Sequence, residues 1–454
     1  MIVEQQNHRP SGRARRGGSR RRRSPGVVRA VAVGLALTVT AACSGSSGGG
    51  EAGDGGRVKI TWQAAPFGDR ADDARKYLVK DFEREHPGID VEVVSAPTNV
   101  DTNRAGLTTQ IMGRSATPDV FNGDVAWAAQ FAAAGLVLPI GEHVPKSFWD
   151  RFDPATVEGA SYGGTVYGVP LTLDQGFLYY RKDLLAKHHL PVPATWEEVA
   201  RQSKILSDAG DVDYGLAWQG ASYEGLTAVT NEFVQAGGGT LVDADGTRSG
   251  AGSGASADAL AFMKKLIGSG VSPRATTTFQ EPQSLQAFTG GSAAFLRNWS
   301  YAYDTADAKG TKTAGKVGVT GMPAFDTKGG KHASSVGGWN VYVNPHTQHQ
   351  KAALEFVTWL TSPKVQRLMA ERSSTIPTVD SVRESPEVRK LSAVLRASSG
   401  NDLVSRPTTS RYYPQISQAT SSTVNSMLSG GLSPSDASKR LASDIEAALA
   451  GRRL

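Results

Sequence analysis

Near its start the chain sets out two strand-like runs with one helix-length amphipathic segment between them, and that order fixes the fold class. Val58, Ile60 and Trp62 alternate with Lys59 and Thr61, the period of a half-buried strand. Ala74, Tyr77, Leu78 and Phe82 then fall on one face of a helix that Pro87-Gly88 stops. Ile89, Val91 and Val93 alternate again as a second strand. Strand, helix, strand at this spacing predicts a βαβ unit, and with it a parallel sheet covered by helices.

The same alternation continues downstream. Pro118-Asp119-Val120-Phe121 reads as a short strand and Ala126 to Ala134 as a helix. Thr195-Trp196-Glu197-Glu198 has the spacing of a capping box, in which threonine and glutamate satisfy each other's backbone N–H groups. Ala353, Phe356, Val357 and Leu360 make another apolar stripe. Ser433-Pro434 opens a last helix that carries Ala437, Leu441, Ile445 and Leu449 inward. No period of about 20–50 residues repeats, which excludes a solenoid. A mature chain of roughly 400 residues exceeds one core, so an α/β protein with two lobes is expected.

Charge divides the chain sharply. The whole carries +6, but residues 1–43 hold nine arginines and one acid, a formal +8, which leaves the remainder at −2. That remainder lacks a basic stripe, so nucleic acid is not an expected partner. The basic segment is followed by 11 uncharged, mostly apolar residues, Ala30 to Thr40, and then Ala41-Ala42-Cys43. A bilayer-spanning helix needs about 20 apolar residues, so this is the plan of an export signal, residues 1–42. Its arginines fit a twin-arginine signal or a plain basic leader equally well. Cys43 is the only cysteine, so it has no disulfide partner within the chain. Its position resembles the lipobox of bacterial lipoproteins, with Thr40 in place of the usual aliphatic residue, and implies acylation of Cys43. Seven glycines among the 13 residues Ser44 to Gly56 predict a flexible tether, residues 43–56. Gly45-Ser46-Ser47-Gly48-Gly49 matches a nucleophile elbow in letters only, having no strand before it and no helix after it.

Metal and nucleotide chemistry find little support. The eight histidines form no H-E-x-x-H, and no G-K-[ST] follows a glycine run. Gly250-Ala251-Gly252-Ser253-Gly254 reads as a surface loop, and neither metal nor cofactor is expected. What recurs is tryptophan or tyrosine beside a carboxylate or arginine, near glycine. Examples are Gly123-Asp124 with Trp127, Asp174 with Tyr179-Tyr180-Arg181, and Tyr223-Glu224-Gly225. Arg297-Asn298-Trp299-Ser300-Tyr301, Gly337-Gly338-Trp339-Asn340, and Arg406-Pro407 before Tyr412-Tyr413-Pro414 follow. A sugar needs these residue types. Its hydroxyl rim takes charge-assisted hydrogen bonds, and its C–H face stacks on aromatic rings.

Taken together, Asp119-Val120-Phe121, Tyr167-Gly168-Val169-Pro170, Leu178 to Leu185, Pro193 to Glu198 and Phe288 to Phe295 resemble family 1 extracellular solute-binding proteins of ABC importers, the maltose-binding type, over residues 57–450. Within it, Asp124 with Trp127, Asp174, Tyr223-Glu224-Gly225-Leu226, Arg297-Asn298-Trp299, Gly337-Gly338-Trp339-Asn340 and Arg406-Pro407 look like the trehalose/maltose-binding lipoprotein branch. The resemblance implies a two-lobed periplasmic-binding-protein fold (type II), with a ligand cleft between lobes joined by crossovers near 169–174, 318–322 and 366–370. It implies an N-terminal lobe of 57–170 and 320–366, and a C-terminal lobe of 171–319 and 367–454. It further implies hydroxyl contacts from Asp124, Asp174 and Glu224, stacking on Trp299 and Trp339 with Tyr301 nearby, and backbone of Gly337 and Gly338 lining the site. A hydroxyl clamp would come from Arg406, or from Arg411, which interrupts the spacing to Tyr412-Tyr413-Pro414. Thr172 stands where relatives can carry an aromatic ring.

The implied protein is a monomeric, lipid-anchored sugar carrier on the outer face of a bacterial membrane that delivers an α-glucoside to permease subunits and has no enzymatic activity. A secreted glycoside hydrolase is the competing class, because Asp124, Asp174 and Glu224 could supply two carboxylates flanking a glycosidic bond. A relative that binds a peptide, a polyol or an oligosaccharide differs only in pocket detail.

Overall fold

The protein is described by a computed structural model over residues 56–67, 73–327 and 329–452. The export signal, Cys43 and the glycine-rich tether lie outside the described residues. From the N-terminal side the chain forms β1 (Val58–Ala64), α1 (Ala74–Glu85), β2 (Ile89–Ser95), α2 (Val100–Met112), β3 (Val120–Asp124) and α3 (Ala128–Ala133). Then come β4 (Val169–Asp174), β5 (Phe177–Arg181), α4 (Trp196–Asp208), β6 (Tyr214–Ala217), α5 (Glu224–Ala236), α6 (Gly254–Gly268), α7 (Glu281–Thr289), β7 (Ala293–Asn298) and β8 (Val317–Thr320). The last stretch holds β9 (Ala333–Ser335), β10 (Gly337–Val343), α8 (Gln350–Leu360), α9 (Pro363–Ser373), β11 (Asp402–Val404), α10 (Tyr413–Ser429) and α11 (Pro434–Leu449).

Two sheets organise these elements. The first has the order β2-β1-β3-β10-β4, and the second β8-β5-β7-β6. β1 pairs in parallel with β2 and β3, as the βαβ pattern predicts, whereas β10 returns antiparallel to both β3 and β4. In the first lobe Trp62, Leu78, Phe82 and Phe356 pack together, fully buried or nearly so. In the second, Trp196, Trp218, Phe233, Leu260 and Ile445 do the same. Each such side chain contributes roughly 1.5–3 kcal/mol through the area it removes from water.

The local signals come out largely where the sequence puts them. Thr195 and Glu198 close the capping box of α4. The stripe of α8 and that of α11 face inward, with Leu449 only partly covered. Three readings need correction. Tyr77 is 40% exposed and lies under the guanidinium of Arg372, so the buried stripe of α1 is narrower than its sequence suggests. The expected helix from Ala126 begins as a 3₁₀ turn, Val125–Trp127, capped by Asp124, before α3 starts. Gly250 to Gly254 is no simple surface loop: Ala251 is fully buried and Ser253 caps α6.

β4 carries the first sheet to Asp174, and α9, which touches α1, runs to Ser373. Of the expected crossovers, 169–174 is β4 itself, 318–322 covers the end of β8, and 366–370 lies inside α9. No helix among the described residues is long and apolar enough to cross a membrane.

Candidate functional site

Sheet register brings the candidate residues together. Trp339 on β10 lies opposite Asp124 on β3 on one side and Thr172 on β4 on the other, while Gly337 lies opposite Asp174. The strand ends of the first sheet therefore present acid, ring and hydroxyl in one row. They form one wall of a cavity of about 210 Å³, to which Pro66 and Phe67 after β1 also contribute. The facing wall is built from the first turns of α5 and α7 and from Trp299 to Tyr301 after β7.

Two glycines make the register possible. Gly338 has φ +119°, and a Cβ there would sit 2.1 Å from the carbonyl oxygen of Thr172. A Cβ on Gly337 would sit 2.8 Å from the ring of Trp299, so a side chain at this position would push that ring out of place.

Arg406 stands between the walls, 4% exposed. Its Nη1 donates to Glu224 Oε1 at 2.5 Å, and its Nη2 to Asp124 Oδ1 at 2.9 Å and to the carbonyl of Val336 at 3.2 Å. Ser417 donates to the other oxygen of Glu224 at 2.5 Å, and the Tyr413 hydroxyl donates to Oε1. Burial pushes the Glu224 carboxyl above its usual range, Arg406 pulls it back, and the Asp124 charge adds to the rise. Burial works against the charge on Arg406, but the carboxylates around it hold the guanidinium firmly protonated.

Glu224 is also the first residue of α5, a helix whose own N-cap, Tyr223, offers no side-chain acceptor. Asp101 of α2 takes that place from the opposite wall, accepting the Glu224 N–H at 3.0 Å, and is itself held by Arg104 at 2.9 Å. A second link across the cleft runs from Asn99 Nδ2 to Gln280 Oε1, 3.3 Å.

Asp174 accepts the N–H groups of Gln175 at 2.8 Å and Ser300 at 3.0 Å. Enclosure by the cleft raises its pKa to about 6, against the opposing pull of those two donors. Trp299 is half-buried and fixed on three sides. Its Nε1 donates to Glu281 Oε1 at 3.2 Å, its N–H to Asn298, and the Arg297 guanidinium lies 4.1 Å from its ring centroid. Arg297 is in turn locked by Glu232 in a fully buried, two-pronged pair with contacts of 2.5 and 2.8 Å. Trp339, also half-buried, meets Trp127 edge-on, with centroids 6.5 Å apart.

Of the ten expected ligand residues, the cavity lining includes Asp124, Asp174, Glu224, Trp299, Tyr301, Gly337, Gly338, Trp339 and Arg406. Arg411 is not among them. It is exposed, its Nη2 2.8 Å from the hydroxyl of Tyr412, so Arg406 is the arginine brought to the cleft. The sequence reading missed Gln280, Glu281 and Pro282. Glu281 Oε2 accepts the Tyr223 hydroxyl at 2.6 Å. It has no tryptophan, tyrosine or glycine beside it, and only its place just before Pro282, at a helix start, could have marked it. Among the described residues no cluster of three or more His, Cys, Asp or Glu side chains is placed to hold a metal ion.

The family model for bacterial extracellular solute-binding proteins matches residues 67–367. A probable ABC transporter-binding protein of Deinococcus radiodurans is 32% identical over 397 residues, covering 85% of this chain and 92% of its own length. Maltose-bound MalE3 of T. maritima superposes with a TM-score of 0.80 at 29% identity, covering 86% of this chain and 99% of that one. The GacH receptor of Streptomyces glaucescens, solved unliganded and with acarbose, gives 0.77 at 26% identity, over 87% of this chain and 99% of its own.

Proposed function

The chain belongs to the bacterial extracellular solute-binding protein family, and from that premise we propose that its ligand is an α-glucoside disaccharide of the trehalose or maltose kind. It is the substrate-binding protein of an ABC transporter for sugars or polyols, and its similar proteins are binding proteins, not enzymes. One observation carries the finer reading: two half-buried tryptophans, Trp299 and Trp339, line the same cavity as Asp124, Asp174 and Glu224. That pairing suits a pyranose, with rings under its C–H face and carboxylates at its hydroxyls. The relatives that hold maltose and acarbose point the same way.

In this reading Asp174 accepts sugar hydroxyls directly, and Arg406 keeps Asp124 and Glu224 aligned so that their remaining lone pairs meet the ligand. Tyr301 and the backbone of Gly337 and Gly338 complete the lining. Arg411 is given no role. Ligand shifts a pre-existing open–closed equilibrium through its preference for the closed cleft, and the closed form docks on the permease. A micromolar Kd corresponds to roughly −8 kcal/mol, within reach of a few charge-assisted hydrogen bonds and two stacked rings. The protein acts as a monomer, tethered outside the cell membrane by acyl chains on Cys43.

Titration calorimetry against a panel of disaccharides and polyols is the test. Heat is expected with at least one α-glucoside, and Trp299→Ala should weaken it by tenfold or more. No heat with any α-glucoside removes the assignment, and a response to polyols alone replaces it. Cys43→Ser should release the protein from the membrane fraction, and unchanged membrane retention would remove the lipid anchor.

A further inference from the structure

Four carboxylates line the cleft, those of Asp124, Asp174, Glu224 and Glu281, and among the described lining residues Arg406 is the one cation. Both terminal nitrogens of Arg406 are engaged by Asp124 and Glu224, two acids for one cation, and its partnerless Nε is buried, so the trio leaves no positive surplus for a ligand's negative charge. Arg297, the next cation inward, is closed off by Glu232 and lies against Trp299. Residues 68–72, beyond Phe67, carry two aspartates and one arginine in sequence and bring no positive surplus.

Asp174 and Glu281 are the two lining acids with no cation in hydrogen-bond contact; the charge of Arg297, itself paired with Glu232, reaches both from behind Trp299. Each is fixed by neutral donors: Asp174 by the N–H groups of Gln175 and Ser300, Glu281 by the Tyr223 hydroxyl and the Trp299 indole. The two are thereby anchored to neighbouring residues, Asp174 to Ser300 and Glu281 to Trp299. A cleft with four acids to one lining cation, two of the acids fixed outside any ion pair, attracts a cation and repels an anion far more strongly than it would in open water.

We propose that the cleft selects its sugars by charge: it binds a glycoside carrying a protonated amine more tightly than the neutral parent, seats the ammonium between Asp174 and Glu281, and rejects sugars carrying phosphate or carboxylate. This deepens the sugar-binding reading and rests on it. The ring of Trp299 is not the ammonium's seat, because the Arg297 guanidinium already polarises it. A pKa of about 6 leaves Asp174 ionised at pH 7.5, where the amine, its basicity lowered by the neighbouring oxygens, is still charged in about half of its molecules.

The test is titration calorimetry on the purified protein at pH 7.5 and low salt, with matched triplets. Trehalose, 2-amino-2-deoxytrehalose and trehalose 6-phosphate form one, and maltose with its 2-amino and carboxylate analogues a second. The amine is expected to bind at least tenfold tighter than the neutral sugar, and the anion to give no measurable heat. That ratio should fall towards one at 0.5 M salt, on the order of a 4–5 Å Debye length. It should also fall about tenfold in Glu281→Gln and, independently, in Asp174→Asn, each checked for folding by its thermal midpoint. Neutral sugars binding as tightly as the amines, or anions binding at all comparably, overturns charge selection and leaves the disaccharide reading intact. Amines binding where neutral α-glucosides do not overturns the disaccharide reading and sustains charge selection. Silence from all members overturns both.

Discussion

Removing Arg406 would strand two acids. Asp124 and Glu224 share this one guanidinium in a buried site, and deleting one partner of a buried ion pair costs about 3–5 kcal/mol. Arg406→Ala should therefore lose stability of that order in urea unfolding, together with sugar binding. A loss under about 1 kcal/mol would mean that water hydrates the acids in its place. Asp174 gives a pH signature. Its pKa, raised from 3.8 to about 6, makes it a hydroxyl acceptor above pH 6 and a weaker one below. Sugar affinity should fall as pH drops through that value, and Asp174→Asn should flatten the profile. Stability has the opposite slope. The folded protein holds this proton between about pH 6 and pH 4 and the unfolded chain does not, so this group's contribution rises as pH falls across that window and is lost again as pH rises through 6. A sugar affinity that does not change between pH 7.5 and 5 would remove Asp174 from the contacts. At this scale sequence was informative where chemistry is written next to its scaffold, as in Arg297-Asn298-Trp299 or Gly337-Gly338-Trp339. It was silent for Glu281, whose partners Tyr223 and Trp299 lie 58 and 18 residues away. It could not choose between Arg406 and Arg411 either, because only the folded loop decides which guanidinium turns inward.

Elements were legible in proportion to how local their causes are. The stripes of α8 and α11 and the box that opens α4 follow from residues three or four apart. The first sheet is different: its fourth strand, β10, arrives more than two hundred residues after β3 and sets Trp339 beside Asp124. No local period announces that partner. The cap of α5 is also non-local, since the helix takes Asp101 from the opposite wall. A lost N-cap typically costs about 1 kcal/mol, or roughly fivefold in an equilibrium constant. Because this cap spans the cleft, Asp101→Ala should charge that cost to the closed state. Sugar affinity should weaken by about fivefold while the thermal midpoint of the sugar-free protein moves little. A fall in midpoint with unchanged affinity would make the contact a plain helix cap. Gly338→Ala addresses the other wall. With φ at +119° and the Thr172 carbonyl in the way, it should cost about 1–3 kcal/mol and disturb Trp339.

For the whole molecule, the proposed function turns on a motion. The two walls are joined here by polar contacts that include Asp101 to the Glu224 amide, Asn99 to Gln280, Asp174 to the Ser300 amide and Arg406 to Asp124, small compared with the cores they connect. Such a set can be broken without unfolding either lobe. An interface this polar holds the walls together weakly by itself and firmly once a sugar fills the cavity between them, because the ligand adds hydrogen bonds to both. The resulting prediction has two linked parts. Sugar at 100 times its Kd should raise unfolding stability by about 2.7 kcal/mol, as mass action requires of any ligand confined to the folded state. The same addition should lower the radius of gyration in small-angle scattering, and Asp101→Ala should need more sugar to reach the same compact value. Stabilisation without compaction would mean that the cleft binds as a fixed pocket. The hinge would then be absent from the mechanism, and the cross-wall cap of α5 would be a permanent strut.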